Sequence, residues 1–220
     1  MLSKSVFAPL QRKAIEYVFF LDSDDIILNS PGPGQSECVS FESALRCMLS
    51  TQSPLSLIGG VMIKRDIIRE TRFRTDLHIG EDFYFVYENL IKGVPCTFLK
   101  QKWYGLRIHD NNSSGDYSYN GFYSRFTRRR LIWQSEEARG REELAKHQKR
   151  DAFGCFVRCY GMSNPASEDA KSMRKVLLNH KKELLPALTT GGKIVYMLYT
   201  YCPGSVKFLY KIKKKLKRRT

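Results

Sequence analysis

The sequence predicts an α/β fold, in which a sheet-containing first half is followed by a helical second half. Residues 15–21 form a run that is apolar at every position but one, which is typical of a strand covered on both faces in a parallel α/β sheet. Residues 83–90 carry apolar side chains at the i, i+3, i+4 and i+7 spacing of an amphipathic helix. From residue 119 onward the pattern changes to long helices.

Each predicted element has a local signal. The strand over 15–21 stops at a cluster of Asp residues, and a glycine pair at 59–60 marks a close approach of backbone or ligand in the second strand. The helix that contains residues 83–90 opens with two acids, which the positive end of the helix dipole favours, and ends before Gly93. The other predicted elements are a helix with Phe41, Leu45, Met48 and Leu49 on one face, a strand over 56–64, a short helix over 65–70, strands over 96–99 and 103–108, and helices over 119–148, 151–161 and 167–185.

The composition is that of an ordinary globular protein and excludes a disordered or fibrous chain. Of the 220 residues, 42% are hydrophobic and 27% are charged, and the chain is long enough to bury a core. Lys and Arg number 37 against 22 Asp and Glu, a formal net charge of +15. Eight of these cations lie between Lys207 and Arg219, which leaves 29 against 22, or +7, elsewhere. The basicity is therefore largely a local feature of the C-terminal tail.

The cysteines and the first residues predict a cytoplasmic location. The six cysteines lie in apolar contexts, with no Cys-x-x-Cys pair and no Cys/His couple at zinc spacing, so we interpret them as reduced core thiols. Residues 1–10 lack the apolar segment of a signal peptide. The apolar stretch over 194–210 is interrupted and shorter than the ~20 residues that cross a bilayer, so we expect no membrane span.

Residues 194–220 combine apolar and aromatic side chains with the terminal cluster of Lys and Arg. Such a segment is typical of a chain that lies in the headgroup region of a membrane with its cations toward anionic lipid. We therefore expect peripheral association with the cytoplasmic face of the membrane. A terminal helix packed on the domain, with a solvated basic end, is the alternative. We expect no nucleic-acid binding, because no recognised nucleic-acid motif accompanies the cluster.

Three carboxylates follow the first predicted strand, at Asp22, Asp24 and Asp25. Open α/β sheets place their ligand crevice at the carboxyl ends of the strands. Clustered carboxylates repel one another unless a cation or hydrogen bonds offset their charge, and hard oxygen ligands suit Mg²⁺ or Mn²⁺. The pattern favours a metal site, and a turn capped by Asp side chains is the alternative.

Two further polar clusters are candidates for chemistry. Glu81 and Asp82 precede the amphipathic helix; a carboxylate there would take a proton from an acceptor hydroxyl, or the pair would only complement the helix dipole. Arg107 and His109 end a predicted strand, and their i, i+2 spacing puts both side chains on one face. An Arg there suits a diphosphate and a His suits a metal or a phosphate, although lone His residues are more often structural.

These clusters occur in an order that resembles the bacterial family 2 glycosyltransferases of GT-A fold, which is Rossmann-like. The resemblance covers residues 16–115 and depends on several short motifs in the right order. The motifs are Tyr-Val-Phe-Phe-Leu-Asp-Ser-Asp-Asp at 17–25, Gly-Val-Met-Ile-Lys-Arg at 60–65, residues 73–76, Gly-Glu-Asp-Phe at 80–83, Trp-Tyr-Gly-Leu-Arg-Ile-His at 103–109 and Asn-Ser-Ser at 112–114.

The resemblance implies a role for each candidate residue, with Asp82 as the catalytic base. The residues implied to hold the divalent metal, Mn²⁺ or Mg²⁺, are Asp22, Asp24 and His109. The residues implied to bind substrate are Glu81, Arg107 and Asp25, of which Arg107 approaches the diphosphate.

The implied activity is transfer of a sugar from a nucleotide-sugar donor to a saccharide or lipid-linked acceptor, with inversion, in the synthesis of cell-surface polysaccharide. In this family a nucleotide-binding half precedes the Asp-x-Asp strand, whereas 15 residues precede Glu16 here. We therefore expect an incomplete GT-A sheet. The predicted divisions are a partial catalytic domain over 1–118, a helical extension over 119–193 and the membrane-associating tail over 194–220. A non-catalytic remnant that binds a membrane or a partner is the alternative function.

Overall fold

The computed structural model describes residues 17–19, 26–27, 36–49, 61–94, 96–99, 104–105 and 115–202. The chain divides into two compact units. The first unit consists of Met1–Thr75 with Glu81–Asn112, and the second consists of Asp76–Gly80 with Ser113–Thr220. The described residues contain both strands and helices, with helices in the majority. The finer domain divisions at residues 118 and 193 stay predictions.

Short strands of the first unit pair in antiparallel ladders. They are β1 (Tyr17–Phe19), β2 (Ile26–Ile27), β3 (Ser36–Val39), β4 (Met62–Lys64), β5 (Cys96–Leu99) and β6 (Tyr104–Gly105). In the described ladders β1 pairs with β4, β2 with β6, and β3 with β5. The register places Val18 opposite Ile63 and Glu37 opposite Phe98.

The predicted strands are present at the predicted positions, but their pairing differs from the prediction. The structure has strands within the predicted ranges 15–21, 56–64, 96–99 and 103–108. However, β4, which pairs with β1 in the described residues, runs antiparallel to it, whereas the apolar run over 15–21 predicted a parallel sheet. Strands β2 and β3 were missed, because they lie in segments without an alternating pattern and pair with strands far along the chain.

Three helices complete the described part of the first unit: α1 (Phe41–Leu49), α2 (Arg65–Ile68) and α3 (Glu81–Leu90). The Ser40 hydroxyl accepts a hydrogen bond from the Ser43 N–H at 3.2 Å, which is the contact of a helix N-cap. Helices α1 and α3 pack against each other. The apolar face predicted for α3 is buried, and so are Tyr84 and Phe85, so α3 is buried over more of its circumference than its periodicity indicates.

The second unit is a bundle of helices. They are α4 (Tyr119–Ala138), α5 (Glu142–Met162), α6 (Glu168–Asn179), α7 (Lys181–Leu184) and α8 (Thr190–Tyr201), with a 3₁₀ turn over Leu185–Ala187. Side-chain oxygens of Ser118, Ser167 and Thr189 accept from backbone N–H groups in the first turns of α4, α6 and α8. Each such cap stabilises its helix by about 1 kcal/mol. Among the helices of the described residues, none is both long and apolar enough to cross a bilayer.

The break between α4 and α5 differs from the prediction. We expected a helix end near residue 148, but the chain turns at 139–141 and Asp151 lies inside α5. Gly140 has a φ of 69°, a left-handed conformation that ends helices and that glycine adopts at little cost. The Arg141 guanidinium then pairs with the fully buried Glu136 carboxylate at 3.2 Å. A local backbone requirement at one glycine thus decides where the long helical pattern is interrupted.

Aromatic side chains fill the core of the second unit. Phe122 and Phe156 meet edge to face, with ring centroids 6.0 Å apart, and Phe156 meets Tyr199 in the same way at 5.2 Å. Such pairs add about 0.5–1.5 kcal/mol each beyond the area they bury. Tyr199 belongs to α8, so this helix is part of the core.

The cysteines only partly match the expected core thiols. Cys155 and Cys159 are buried in α5, with their sulfur atoms 4.0 Å apart. Cys38 and Cys202 are exposed. Their apolar neighbours in the sequence were a poor guide, because sequence neighbours in strands and helices point to different sides.

Candidate active site

The structure describes two of the predicted site residues and places them together. Glu81 and Asp82 are the first two residues of α3, and both are half-buried. The predicted metal and substrate residues Asp22, Asp24, Asp25, Arg107 and His109 lie outside the described residues. Within the described ranges, no group of three or more His, Cys, Asp or Glu side chains could hold a metal ion.

The first turn of α3 is built so that carboxylates are favourable there. Gly80 has a φ of 85°, and this left-handed residue lets the chain turn sharply into the helix. The Asp82 carboxylate accepts a hydrogen bond from the Phe83 N–H at 2.6 Å. The exposed backbone N–H groups and the helix dipole both favour negative charge at this end. The Asp82 carboxylate is therefore held at a defined place at the start of the helix.

The backbone that leads into α3 is anchored by a buried serine of α4. The Ser124 hydroxyl accepts a hydrogen bond from the Ile79 N–H at 2.7 Å and donates one to the Ile79 carbonyl at 3.1 Å. Both residues are buried. Next to them, Gly80 lies so close to the Arg128 side chain that an added Cβ would collide with the guanidinium. These contacts fix residues 76–80 within the second unit.

The other end of α3 is anchored by a polar cluster. The Lys92 ammonium donates to the Thr71 hydroxyl at 2.7 Å and to the Asn89 side-chain carbonyl at 3.0 Å. Thr71 donates to the same Asn89 oxygen at 2.9 Å, and the Asn89 amide donates to the Phe85 carbonyl at 2.8 Å. A cation just beyond the last turn also complements the negative end of the helix dipole. Hydrogen bonds thus hold the C-terminal end of the helix that carries Glu81 and Asp82.

A tyrosine on the same helix has an altered acidity. Burial raises the pKa of Tyr84, and the nearby Glu88 carboxylate adds to the rise, while Arg74 opposes it. The Arg74 guanidinium lies over the Tyr84 ring, 5.5 Å from its centroid. The ring therefore stays neutral at physiological pH and contributes a hydroxyl rather than a phenolate to this part of α3.

Sequence reasoning found Glu81 and Asp82 but missed the hydrogen bonds made by residues near them in the chain. Ser124 lies 45 residues from Ile79, and nothing local to either residue indicates the contact. The polar cluster of Thr71, Asn89 and Lys92 gives only a weak signal, which is a Lys just after the last turn of a predicted helix.

In comparisons with protein-family models, with curated proteins and with solved structures, no match to this chain was found. The glycosyltransferase resemblance therefore stays a hypothesis that depends on the motifs and their order.

Proposed function

We propose that the chain is an inverting, metal-dependent glycosyltransferase of the bacterial family 2 type, with a GT-A sheet. It transfers a sugar from a nucleotide-sugar donor to a saccharide or lipid-linked acceptor in the synthesis of cell-surface polysaccharide. The observation that carries the proposal is the position of Asp82. This carboxylate lies in the first turn of α3, which begins directly after the left-handed Gly80 and is held at its C-terminal end by hydrogen bonds. A general base needs such a rigid support.

The proposed chemistry is a single displacement at the anomeric carbon of the donor. The acceptor oxygen forms the new bond on one face, while the bond to the nucleoside diphosphate breaks on the other. The Asp82 carboxylate accepts the hydroxyl proton of the acceptor as the new bond forms. Glu81, beside it in the helix, binds substrate, and the alignment of the two reactants accounts for much of the rate.

The metal part of the proposal depends on the chemistry of the residues themselves. Asp22 and Asp24 carry carboxylates of the kind that Mn²⁺ and Mg²⁺ prefer, and His109 would be the third ligand. When bound, the ion would offset the negative charge that grows on the departing diphosphate. Arg107 would hold the diphosphate through its guanidinium, and Asp25 would contact the donor.

We also propose that the chain works at the cytoplasmic face of a membrane, as a peripheral protein. The support is the tail, in which eight Lys and Arg residues lie between Lys207 and Arg219. Each cation close to an anionic surface contributes about 1 kcal/mol of binding. Such a location would suit an acceptor that is linked to lipid.

The test is a transfer assay on the 220-residue chain with a panel of nucleotide sugars, Mn²⁺ and a bacterial lipid extract as acceptor source. We expect release of nucleoside diphosphate that EDTA abolishes. Asp82→Asn and Asp24→Asn should each lower the rate by about 10²–10⁴-fold. The matched control is Asp66→Asn, an exposed Asp that pairs with Arg69 at 2.8 Å on α2, and it should leave the rate unchanged.

Two results would contradict the proposal. Full activity in Asp82→Asn would show that another group takes the proton. No release from any donor, in a chain that folds normally, would favour the second candidate function, a non-catalytic protein that binds a membrane or a partner.

A further inference from the structure

One face of α8 exposes large apolar side chains. Ile194, Met197 and Tyr201 are 58%, 41% and 67% exposed. Their spacing of three and four residues places them on a single side of the helix. Together they form what we call the α8 outer face, which consists of these three residues and is about 10 Å long at 1.5 Å per residue.

The opposite side of α8 is locked into the bundle. Tyr196 and Tyr199 are buried in the aromatic core. The Tyr196 hydroxyl donates to the Leu177 carbonyl at 2.9 Å, and the Arg174 guanidinium donates to the Thr200 carbonyl at 2.6 Å. The α8 outer face is therefore a preformed surface, so a partner that covers it does not have to order the helix first.

The charges that flank this face along the sequence have one sign. Lys193 is exposed at the start of the α8 outer face. From residue 184 to residue 220 the chain contains nine Lys and Arg and no Asp or Glu. Apolar side chains flanked by cations, with no anions near them in sequence, are complementary to a surface in which a negatively charged layer covers an apolar interior. The headgroup region of a bilayer with anionic phospholipid has this chemistry.

We propose that the α8 outer face inserts into the headgroup and acyl boundary of a bilayer that contains anionic phospholipid. Ile194, Met197 and Tyr201 supply the apolar contact, while Lys193 and the cations of the tail lie against the headgroups. This inference deepens the peripheral location proposed above and rests on it. It does not depend on transferase activity. It makes a folded helix of the bundle, and not only the basic tail, part of the membrane contact.

The test is flotation of the full chain with vesicles of phosphatidylcholine, with and without phosphatidylglycerol. The variant of the face is Ile194→Ser/Met197→Ser/Tyr201→Ser, and the variant of the tail is Lys213→Gln/Lys214→Gln/Lys215→Gln. The matched control is Met162→Ser, which removes a Met from the end of α5 that is more exposed than Met197, 55% against 41%. Because the changed side chains of the bundle are exposed, the urea midpoints of the face variant and the control should match that of the wild type.

We expect the wild type to float only with vesicles that contain phosphatidylglycerol. The face variant should bind them at least about tenfold more weakly, because burial of even one such side chain is worth that factor. Met162→Ser should bind like the wild type. The tail variant should lose the electrostatic part of the binding, which is the part that added salt also screens.

A direct readout of insertion comes from Tyr201→Trp. Vesicles with brominated acyl chains should quench this indole. The two natural tryptophans, Trp103 and the fully buried Trp133, give a background that the wild type measures under the same conditions. Absence of quenching in Tyr201→Trp would overturn the inference. Wild-type binding by the face variant would overturn it too, and would leave the tail as the membrane contact. Failure of the wild type to bind would overturn both the inference and the peripheral location, while the transfer assay would remain a separate test of the activity.

Discussion

Ser124 should be the residue whose loss most directly loosens the segment that precedes α3. Its hydroxyl satisfies both the N–H and the carbonyl of buried Ile79, and Ser124→Ala removes both hydrogen bonds. Each buried group left without a partner costs about 1–3 kcal/mol, and the higher helix propensity of alanine returns about 0.5 kcal/mol. We therefore expect the free energy of unfolding to fall by about 2–5 kcal/mol.

The assay is urea unfolding followed by circular dichroism, together with hydrogen exchange at the Ile79 amide. With a urea slope of about 2 kcal/mol per molar, the midpoint should fall by about 1–2.5 M. The matched control is Ser135→Ala, the same change in the same helix, where the hydroxyl accepts from the exposed Arg139 side chain. Its effect should stay within about 0.5 kcal/mol. Equal midpoints for the two variants, with unchanged exchange at Ile79, would refute the anchoring role of Ser124.

Two other predictions concern a glycine and a tyrosine. Gly80→Ala should destabilise the protein more than Gly93→Ala in urea unfolding, because both have a left-handed φ but only the first would collide with Arg128; equal losses would contradict the packing. Burial raises the pKa of Tyr196 from 10.0 to about 12. Between these two pH values the unfolded state loses this proton while the folded state keeps it, so the free energy of unfolding falls as the pH rises from about 10 to about 12. Tyr196→Phe should reduce that fall, and an unchanged pH dependence would show that Tyr196 does not cause it.

Local patterns predicted the elements whose residues carry their own signal. Helix α3 was predicted from the spacing of its apolar residues, and Glu81 and Asp82 were placed at its start because acids favour that end. Strand β5 was predicted at its observed bounds. In these cases the residues that determine the structure are neighbours in the sequence, so periodicity is sufficient.

Contacts between distant residues could not be predicted in this way. Strand β3 pairs with a strand about 60 residues away, and the Ser124 anchor spans 45 residues. For a similar reason, the packing of α8 on the domain was only the alternative interpretation of its sequence. Its sequence suggested an interfacial tail, but Tyr196 and Tyr199 face an aromatic core assembled from α4, α5 and α6. Tertiary packing decides such cases, and it is not visible in one segment alone.

We propose that one divalent cation, held by Asp22, Asp24 and His109, lies close to Asp82. Paramagnetic broadening tests it directly, through amide NMR spectra of the chain with a nucleoside diphosphate and substoichiometric Mn²⁺. We expect the amide signals of Asp82 and His109 to broaden in the wild type and in Asp66→Asn, and to stay sharp in Asp24→Asn. A sharp Asp82 signal in a wild-type chain that binds Mn²⁺ would show that the cation does not lie close to Asp82.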